Sequence, residues 1–209
     1  MSQTETKDRI LDAAEGLFAR QGYRGTSLRA LTTEAGVNLA SVHYHFGGKE
    51  ALLKEVLLRR LGPLSKRRQA NLKRLRGEPG AAAPCVRDVL RAFMAPTFVL
   101  CEGLPNEGAF SLLIGRILAE PEEPGRSYFL ELVRPDLELF YACLKRAFPA
   151  LPEPILLWRM HFCLGAMSHA LSLRTAAVPP GIRELFPPAA SAGAGGHLVS
   201  FLAAALEAP

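Results

Sequence analysis

The sequence has few of the features typical of a secreted, disulfide-bonded or membrane-anchored protein. Its four cysteines lie far apart and form no CxxC pair, which excludes a zinc ribbon and argues against a disulfide framework. Charged side chains interrupt the first 20 residues, so no secretory leader is expected there. We therefore predict a protein of the reducing cytoplasm that carries free thiols and has no membrane partner.

The sequence also lacks signs of β-structure and of catalysis. No alternating strand pattern, hairpin turn or repeat of fixed period is present. No nucleophile is spaced to meet a base, and no pair of carboxylates lies in an apolar context. The glycine-rich run at 193–196 lacks the flanking strand and helix of a nucleotide-binding loop. We expect no enzyme, no cofactor and no metal site.

Positive charge is concentrated at the amino-terminal end of the chain. The formal net charge is +5, and it divides into +8 over residues 1–76 and −3 over residues 77–209. Clustered Lys and Arg attract phosphates, so nucleic acid is the expected partner of the basic segment. A solvated basic surface is the alternative on charge alone.

Apolar residues recur at helical spacing along the whole chain, which predicts an all-α fold. Gly22 should end the first helix, Gly62-Pro63 should kink the fourth, and 77–84 should form a linker. Pro and Gly punctuate an irregular connection over 177–196. The predicted helices span 6–21, 28–35, 39–45, 49–75, 85–101, 106–119, 126–147, 153–175 and 197–207.

The second and third predicted helices have the dimensions of a helix-turn-helix. Gly36 provides the turn between them, and Asn38 can cap the second one. Val42 and Phe46 point inward. Small, polar and aromatic groups point outward from the second helix, as a helix that enters the major groove requires. Tyr44 could instead pack on a neighbouring helix.

Three short segments resemble the tetracycline-repressor (TetR) family: Thr26-Ser27-Leu28-Arg29, Ala35-Gly36-Val37, and Val42-His43-Tyr44-His45-Phe46-Gly47-Gly48-Lys49. The resemblance implies a dimeric, all-helical transcriptional repressor. It places base or backbone contacts at Leu39, Ala40, Ser41, His43, Tyr44 and His45, and phosphate contacts at Thr26, Ser27, Arg29 and Lys49. The predicted domains are a three-helix DNA-binding domain (1–47), a connecting helix (48–76), and a helical ligand-binding and dimerisation domain (77–209).

Residues 155–173 are apolar on nearly every face, which indicates burial on more than one side. We expect this helix and the last one to form a four-helix interface between two chains. The dimer residues predicted on these two helices are Met160, Cys163, Met167, Leu171, Leu198, Phe201, Leu202 and Leu206.

The helices over 85–148 are expected to enclose a mostly apolar ligand pocket, although plain core is the alternative for each residue. Arg116 could meet a ligand carboxylate or pair with Glu120. The segments 61–63, 148–152 and 157–166 resemble the fatty-acid-responsive branch of the family typified by PsrA. The predicted ligand residues are Phe93, Phe98, Phe110, Leu113, Arg116, Ile117, Phe140, Trp158 and Phe162.

These features predict a regulator that binds a palindromic DNA operator as a homodimer and is released by a hydrophobic effector, such as a fatty acid or an acyl-CoA. Two alternatives stay open. One is a DNA-organising or division-control protein of the same fold that has no inducer. The other is a helical lipid carrier, which would be indifferent to DNA.

Overall fold

The computed structural model describes residues 3–78, 82–102, 107–119, 124–173, 184–185 and 193–208. These residues form α-helices and no strand, which confirms the all-α prediction. None of the described helices is long and apolar enough to cross a bilayer. The helices are α1 (Gln3–Gly25), α2 (Leu28–Ala35), α3 (Leu39–Phe46), α4 (Lys49–Arg76), α5 (Val86–Glu102), α6 (Glu107–Ala119), α7 (Pro124–Ala147), α8 (Glu153–Ser172) and α9 (Ala194–Glu207).

Gly22 interrupts α1 where the sequence predicted the end of the first helix, and prolines lie inside other helices. Gly22 breaks the helical geometry of α1 with φ 74°, but helical residues resume as far as Gly25. The helices α4, α5 and α7 continue through Pro63, Pro96 and Pro135. The predicted bend at Pro63 stays a prediction.

The predicted start of the last helix at 197 is wrong, because α9 begins at Ala194. A side chain at Gly195 would place its Cβ 3.0 Å from the ring of Phe98, so this glycine allows α9 to approach α5 closely. Most of the irregular connection over 177–196 lies outside the described residues.

The chain divides into two compact units, with boundaries within α4, between α5 and α6, and within α7. Unit 1 comprises Met1–Pro63 and Pro105–Val133, and unit 2 comprises Leu64–Leu104 and Arg134–Pro209. Contacts therefore group α6 with α1 to α3. The predicted functional domains are 1–47, 48–76 and 77–209. They divide the chain by function and not by contacts, and they stay a prediction.

Unit 1 packs α1 against α2 and α6. Its core includes Phe18 and Leu31, which are fully buried. A Cβ at Gly125 would lie 3.1 Å from Ile117 and 3.3 Å from Leu53, so the start of α7 also packs tightly here. Glu15 is buried on α1 and accepts charge-assisted hydrogen bonds from Arg59 and Arg60 of α4. These bonds fix α4 to α1.

Unit 2 has an apolar core built from α5, α7, α8, α9 and the second half of α4. Arg68 and Asp136 are buried within this unit, 4 % and 1 % exposed. Arg68 donates to the carbonyl of Phe93 and to the hydroxyl of Thr97. Ser65 donates to Asp136 at 2.5 Å, and Arg68 lies 3.6 Å from the same carboxylate. Burial lowers the pKa of Arg68 to about 10, although Asp136 opposes the shift, so the guanidinium stays charged at neutral pH.

Candidate nucleic-acid interface

Local capping fixes both ends of the two short helices in unit 1. Ser27 caps α2 by accepting from the amide of Ala30 at 3.0 Å, and Asn38 caps α3 by accepting from Ser41 at 2.8 Å. Gly36 ends α2 in the left-handed conformation, with φ 60°. These caps confirm the predicted helix-turn-helix and satisfy amides that a short helix leaves unpaired.

An arginine that the sequence reasoning missed closes the turn. Arg9 of α1 donates to the carbonyls of Ala35 at 2.6 Å and Gly36 at 3.1 Å. A side chain at Gly36 would bring its Cβ within 2.5 Å of this guanidinium. The turn therefore needs glycine for its backbone angle and for the space that Arg9 occupies. No local pattern identifies Arg9, because it acts across 26 residues.

The outer face of α3 carries the side chains predicted to meet DNA. Val42 and Phe46 are buried beneath it. Tyr44 is 75 % exposed and meets His45 edge-on, at 5.1 Å between ring centres. That exposure argues against Tyr44 packing on a neighbouring helix. Leu39, Ala40 and His43 are also exposed, and Ser41 and His45 are half-buried.

Ser27 and Arg29 are exposed at the start of α2, where amides and cationic side chains can meet a phosphate. Thr26 and Lys49, which were predicted to do the same, have internal partners. Thr26 is buried and donates to the carbonyl of Gly22 at 2.8 Å. Lys49 donates at 2.9 Å to the carbonyls of Tyr23 and Thr26, which ties α4 to the end of α1.

Two family models match this chain in turn. Residues 10–56 match bacterial regulatory proteins of the tetR family, and residues 91–205 match the tetracyclin repressor-like C-terminal domain, which is more than half of the chain. The chain belongs to the TetR family. Members of this family are helix-turn-helix transcription factors that bind DNA and are not enzymes.

Curated helix-turn-helix regulators match this chain over short segments. The chain is 45 % identical to the regulator LmrA of Bacillus subtilis over 58 residues, which are 27 % of this chain and 31 % of LmrA. It is 42 % identical to SrpR of Pseudomonas putida over 60 residues, 29 % of this chain and 28 % of SrpR. The chain thus spans about a third of the length of the curated relatives it matches.

Solved structures of transcriptional regulators share the fold over nearly the whole chain. PfmR of Thermus thermophilus superposes with a TM-score of 0.60 at 23 % identity, covering 93 % of this chain and 95 % of PfmR. FadR of Bacillus subtilis, solved in complex with stearoyl-CoA, gives a TM-score of 0.67 at 15 % identity and covers 94 % and 97 %.

The predicted ligand residues fall into three groups, two in unit 2 and one in unit 1. Phe93, Phe98 and Phe140 are core residues of unit 2, where the rings of Phe93 and Phe140 stack at 4.3 Å. Trp158 and Phe162 lie on the surface of α8, 65 % and 64 % exposed. The third group, in unit 1, consists of Phe110, Leu113, Arg116 and Ile117.

Leu113, Arg116 and Ile117 line a cavity of about 10 Å³, which has room for a single water at most. Arg116 donates to the carbonyl of Arg20 at 3.1 Å, so it supports the end of α1. Its proposed partner Glu120 lies outside the described residues. A larger pocket, of about 430 Å³, is an open groove between α4 and α5 whose lining shares none of the predicted ligand residues.

Most residues predicted at the dimer interface lie in or against the core of unit 2. Met160 and Cys163 were expected at the dimer interface but are buried in the core of unit 2, as are Leu202 and Leu206 of α9. Met167, Leu171 and Leu198 pack against the same core. Phe201 is 68 % exposed, as an interface residue must be in one isolated chain. The exposed aromatic face consists of Trp158, Phe162 and Phe201, and its rings on α8 stack at 5.8 Å.

No cluster of three or more His, Cys, Asp or Glu side chains that could hold a metal ion occurs in the described ranges. Burial raises the pKa of the Cys163 thiol to about 11, so it stays protonated at neutral pH. Cys85 is exposed, and Cys101 and Cys143 are buried.

Proposed function

We propose that this TetR-family chain is a transcriptional repressor that binds a palindromic operator as a homodimer and leaves it when a small hydrophobic effector binds. The observation that carries the DNA-binding part is the outer face of α3, which is capped at both ends and presents Tyr44 and His43 to solvent. A short helix held in this way can enter the major groove.

The DNA-binding proposal is tested by selecting an operator from random duplexes with the purified protein and measuring affinity by fluorescence anisotropy. We expect Tyr44→Ala to weaken binding by about tenfold or more, the scale of a lost base contact. Tyr141→Ala, on α7 of unit 2, is the matched control and should stay within about twofold of the parent. Equal affinity of the Tyr44 variant and the parent would remove α3 from the interface.

The exposed aromatic face supports the homodimer. Trp158 and Phe162 lie four residues apart on α8, and Phe201 lies on α9, which packs against α8. A face of this kind is stabilised when a second copy covers it. A dimer is also what two half-sites about 34–36 Å apart require.

Analytical ultracentrifugation tests the dimer. We expect the parent to sediment as a dimer and Phe162→Asp to shift the population to monomer, with a parallel loss of operator affinity. Leu130→Asp places the same charge on an exposed leucine of α7, 45 % exposed, and should leave the dimer intact. If the protein stays dimeric with Phe162→Asp, as it should with Leu130→Asp, the dimer interface lies elsewhere.

The effector response rests on the connectivity of α4, which runs unbroken from unit 1 into unit 2 through Pro63. A ligand that binds a DNA-incompetent conformation more tightly shifts the population toward it, by no more than its difference in affinity. FadR of Bacillus subtilis, which shares the fold, has been solved with stearoyl-CoA, and this supports an acyl effector.

Titrating stearoyl-CoA into the operator complex tests this response. We expect the operator affinity to fall as the ligand saturates the protein. An operator affinity that is unchanged at saturation would favour a DNA-organising protein without an inducer, and a genome-wide binding profile would then show many sites.

A further inference from the structure

We infer that the open groove between α4 and α5 is a binding site for an anionic amphiphile, a molecule with one acidic headgroup and a short apolar body. This inference deepens the proposed effector response and rests on it for its biological role. The groove lies wholly within unit 2 and has a volume of about 430 Å³. That volume is within the usual range for small-molecule sites, about 300–1,000 Å³.

The floor of the groove is apolar. It is formed by Leu75 of α4 and by Ala92, Ala95, Pro96 and Val99 of α5. Val99 is 51 % exposed, so apolar surface remains in contact with water in the isolated chain. The small side chains of Ala92 and Ala95 leave the space between the two helices, and an apolar body that fills it would be removed from water.

The rim of the groove is cationic. Arg67 and Arg74 lie seven residues apart, on one face of α4, and Arg91 faces them from α5. Asp88 is the single carboxylate in the lining, and it pairs with Arg91 at 3.0 Å. Arg74 donates to the side chain of Asn71, a neutral partner. In the described part of the chain, no carboxylate forms an ion pair with Arg67.

The charge of the lining selects the ligand. Three guanidinium groups against one carboxylate leave an excess of positive charge beside an apolar floor. Guanidinium groups bind carboxylates and phosphates through paired N–H donors. An alcohol or a hydrocarbon has no pair of acceptor oxygens to receive them. A straight-chain carboxylate therefore fits both parts of the groove, with its chain on Ala95 and its headgroup toward Arg67.

The groove joins two helices that otherwise meet through buried contacts. Arg67 and Arg74 flank the buried Arg68, which bonds α5 through Phe93 and Thr97. A ligand held by both rims would add a second connection between α4 and α5. The half of α4 that carries this rim continues into unit 1, so the site is connected through the helix itself to the DNA-binding unit.

Calorimetric titration of the full-length protein without DNA tests the site, with decanoate as the probe, decanol as the uncharged analogue and inorganic phosphate as the headgroup alone. We expect decanoate to bind about tenfold or more tightly than decanol, the scale of a charge-assisted hydrogen bond. Arg67→Gln combined with Arg91→Gln should abolish this difference and leave decanol binding unchanged. Ala95→Phe, which fills the floor, should weaken both decanoate and decanol.

Lys73→Gln removes one positive charge from α4 outside the groove lining and is the matched control. It should bind decanoate as the parent does. Equal binding of decanoate and decanol by the parent, or decanoate binding that survives Ala95→Phe, would overturn the assignment. Binding of phosphate as tight as that of decanoate would also overturn it, because the floor would then contribute nothing.

The same titration repeated on the operator complex separates this site from the effector response. If decanoate binds through Arg67 and Arg91 but leaves the operator affinity unchanged, the groove is confirmed as a binding site. The proposed effector response is then refuted for this site. If stearoyl-CoA releases the operator from the Arg67→Gln, Arg91→Gln variant as readily as from the parent, the effector response is confirmed. The effector site then lies outside the groove.

Discussion

Arg68 and Asp136 form a buried ion pair, with 3.6 Å between Nη1 and Oδ2, that joins α4 to α7 inside unit 2. Asp136→Ala leaves the guanidinium buried without its countercharge, and we expect the free energy of unfolding to fall by about 3–5 kcal/mol. Urea denaturation followed by circular dichroism measures this change. Replacing the pair together, as Arg68→Met with Asp136→Leu, should recover most of the loss, and a double variant no more stable than Asp136→Ala would contradict this account.

Glu15 is expected to stabilise unit 1 in the same way. It is 3 % exposed and accepts from Arg59 at 2.8 Å and from Arg60 at 2.9 Å. Glu15→Gln should lower the free energy of unfolding by about 3 kcal/mol, because Arg60 loses its countercharge and Arg59 keeps only its pair with the exposed Asp12. Glu34→Gln breaks the exposed pair with Arg20 and should cost less than about 1 kcal/mol. Similar losses in the two variants would argue against a special role for the buried carboxylate.

Gly36→Ala should destabilise the helix-turn-helix. The substitution places a side chain at φ 60° and within 2.5 Å of the Arg9 guanidinium. The left-handed angle alone costs about 1–2 kcal/mol, and displacement of Arg9 adds to it. Gly48→Ala is the control, because its Cβ would meet nothing within 4 Å. Thermal unfolding distinguishes the two, and an unchanged melting temperature in Gly36→Ala would refute the argument.

Cys163 should make the protein less stable at alkaline pH. Its pKa rises from 9.0 to about 11 in the folded chain because the thiol is buried. Below pH 9 the thiol is protonated in both states. From about pH 9 to 11 only the unfolded chain releases this proton, so stability falls as pH rises. Cys163→Ala should reduce that slope in urea titrations, and Cys85→Ala, which alters an exposed thiol, should not.

The helix-turn-helix was predictable to within a residue because its signals are local. Ser27, Asn38 and Gly36 each act on a backbone group three or four residues away, and their residue types identify those positions. The outward face of α3 followed from two buried residues at helical spacing, Val42 and Phe46. Arg9 was missed because its partners lie 26 and 27 residues away.

The second half was less predictable because α8 is apolar on nearly every face, so periodicity does not indicate which side points inward. Whether Met160 or Trp158 points into the core depends on where α9 and α5 lie, and no local sequence pattern specifies those positions. The groove was missed for a related reason. Arg67, Arg74 and Arg91 resemble ordinary solvated charges until α4 and α5 are placed side by side.

The grouping of α6 with α1 to α3 determines when unit 1 can finish folding during translation. Unit 1 draws on two stretches of chain, Met1–Pro63 and Pro105–Val133, separated by about 40 residues of unit 2. A ribosome that has released only the first stretch has delivered α1 without the helix that covers one of its faces. The DNA-binding end therefore cannot reach its final packing until translation has passed Val133, and fragments cut before that point should be prone to aggregation.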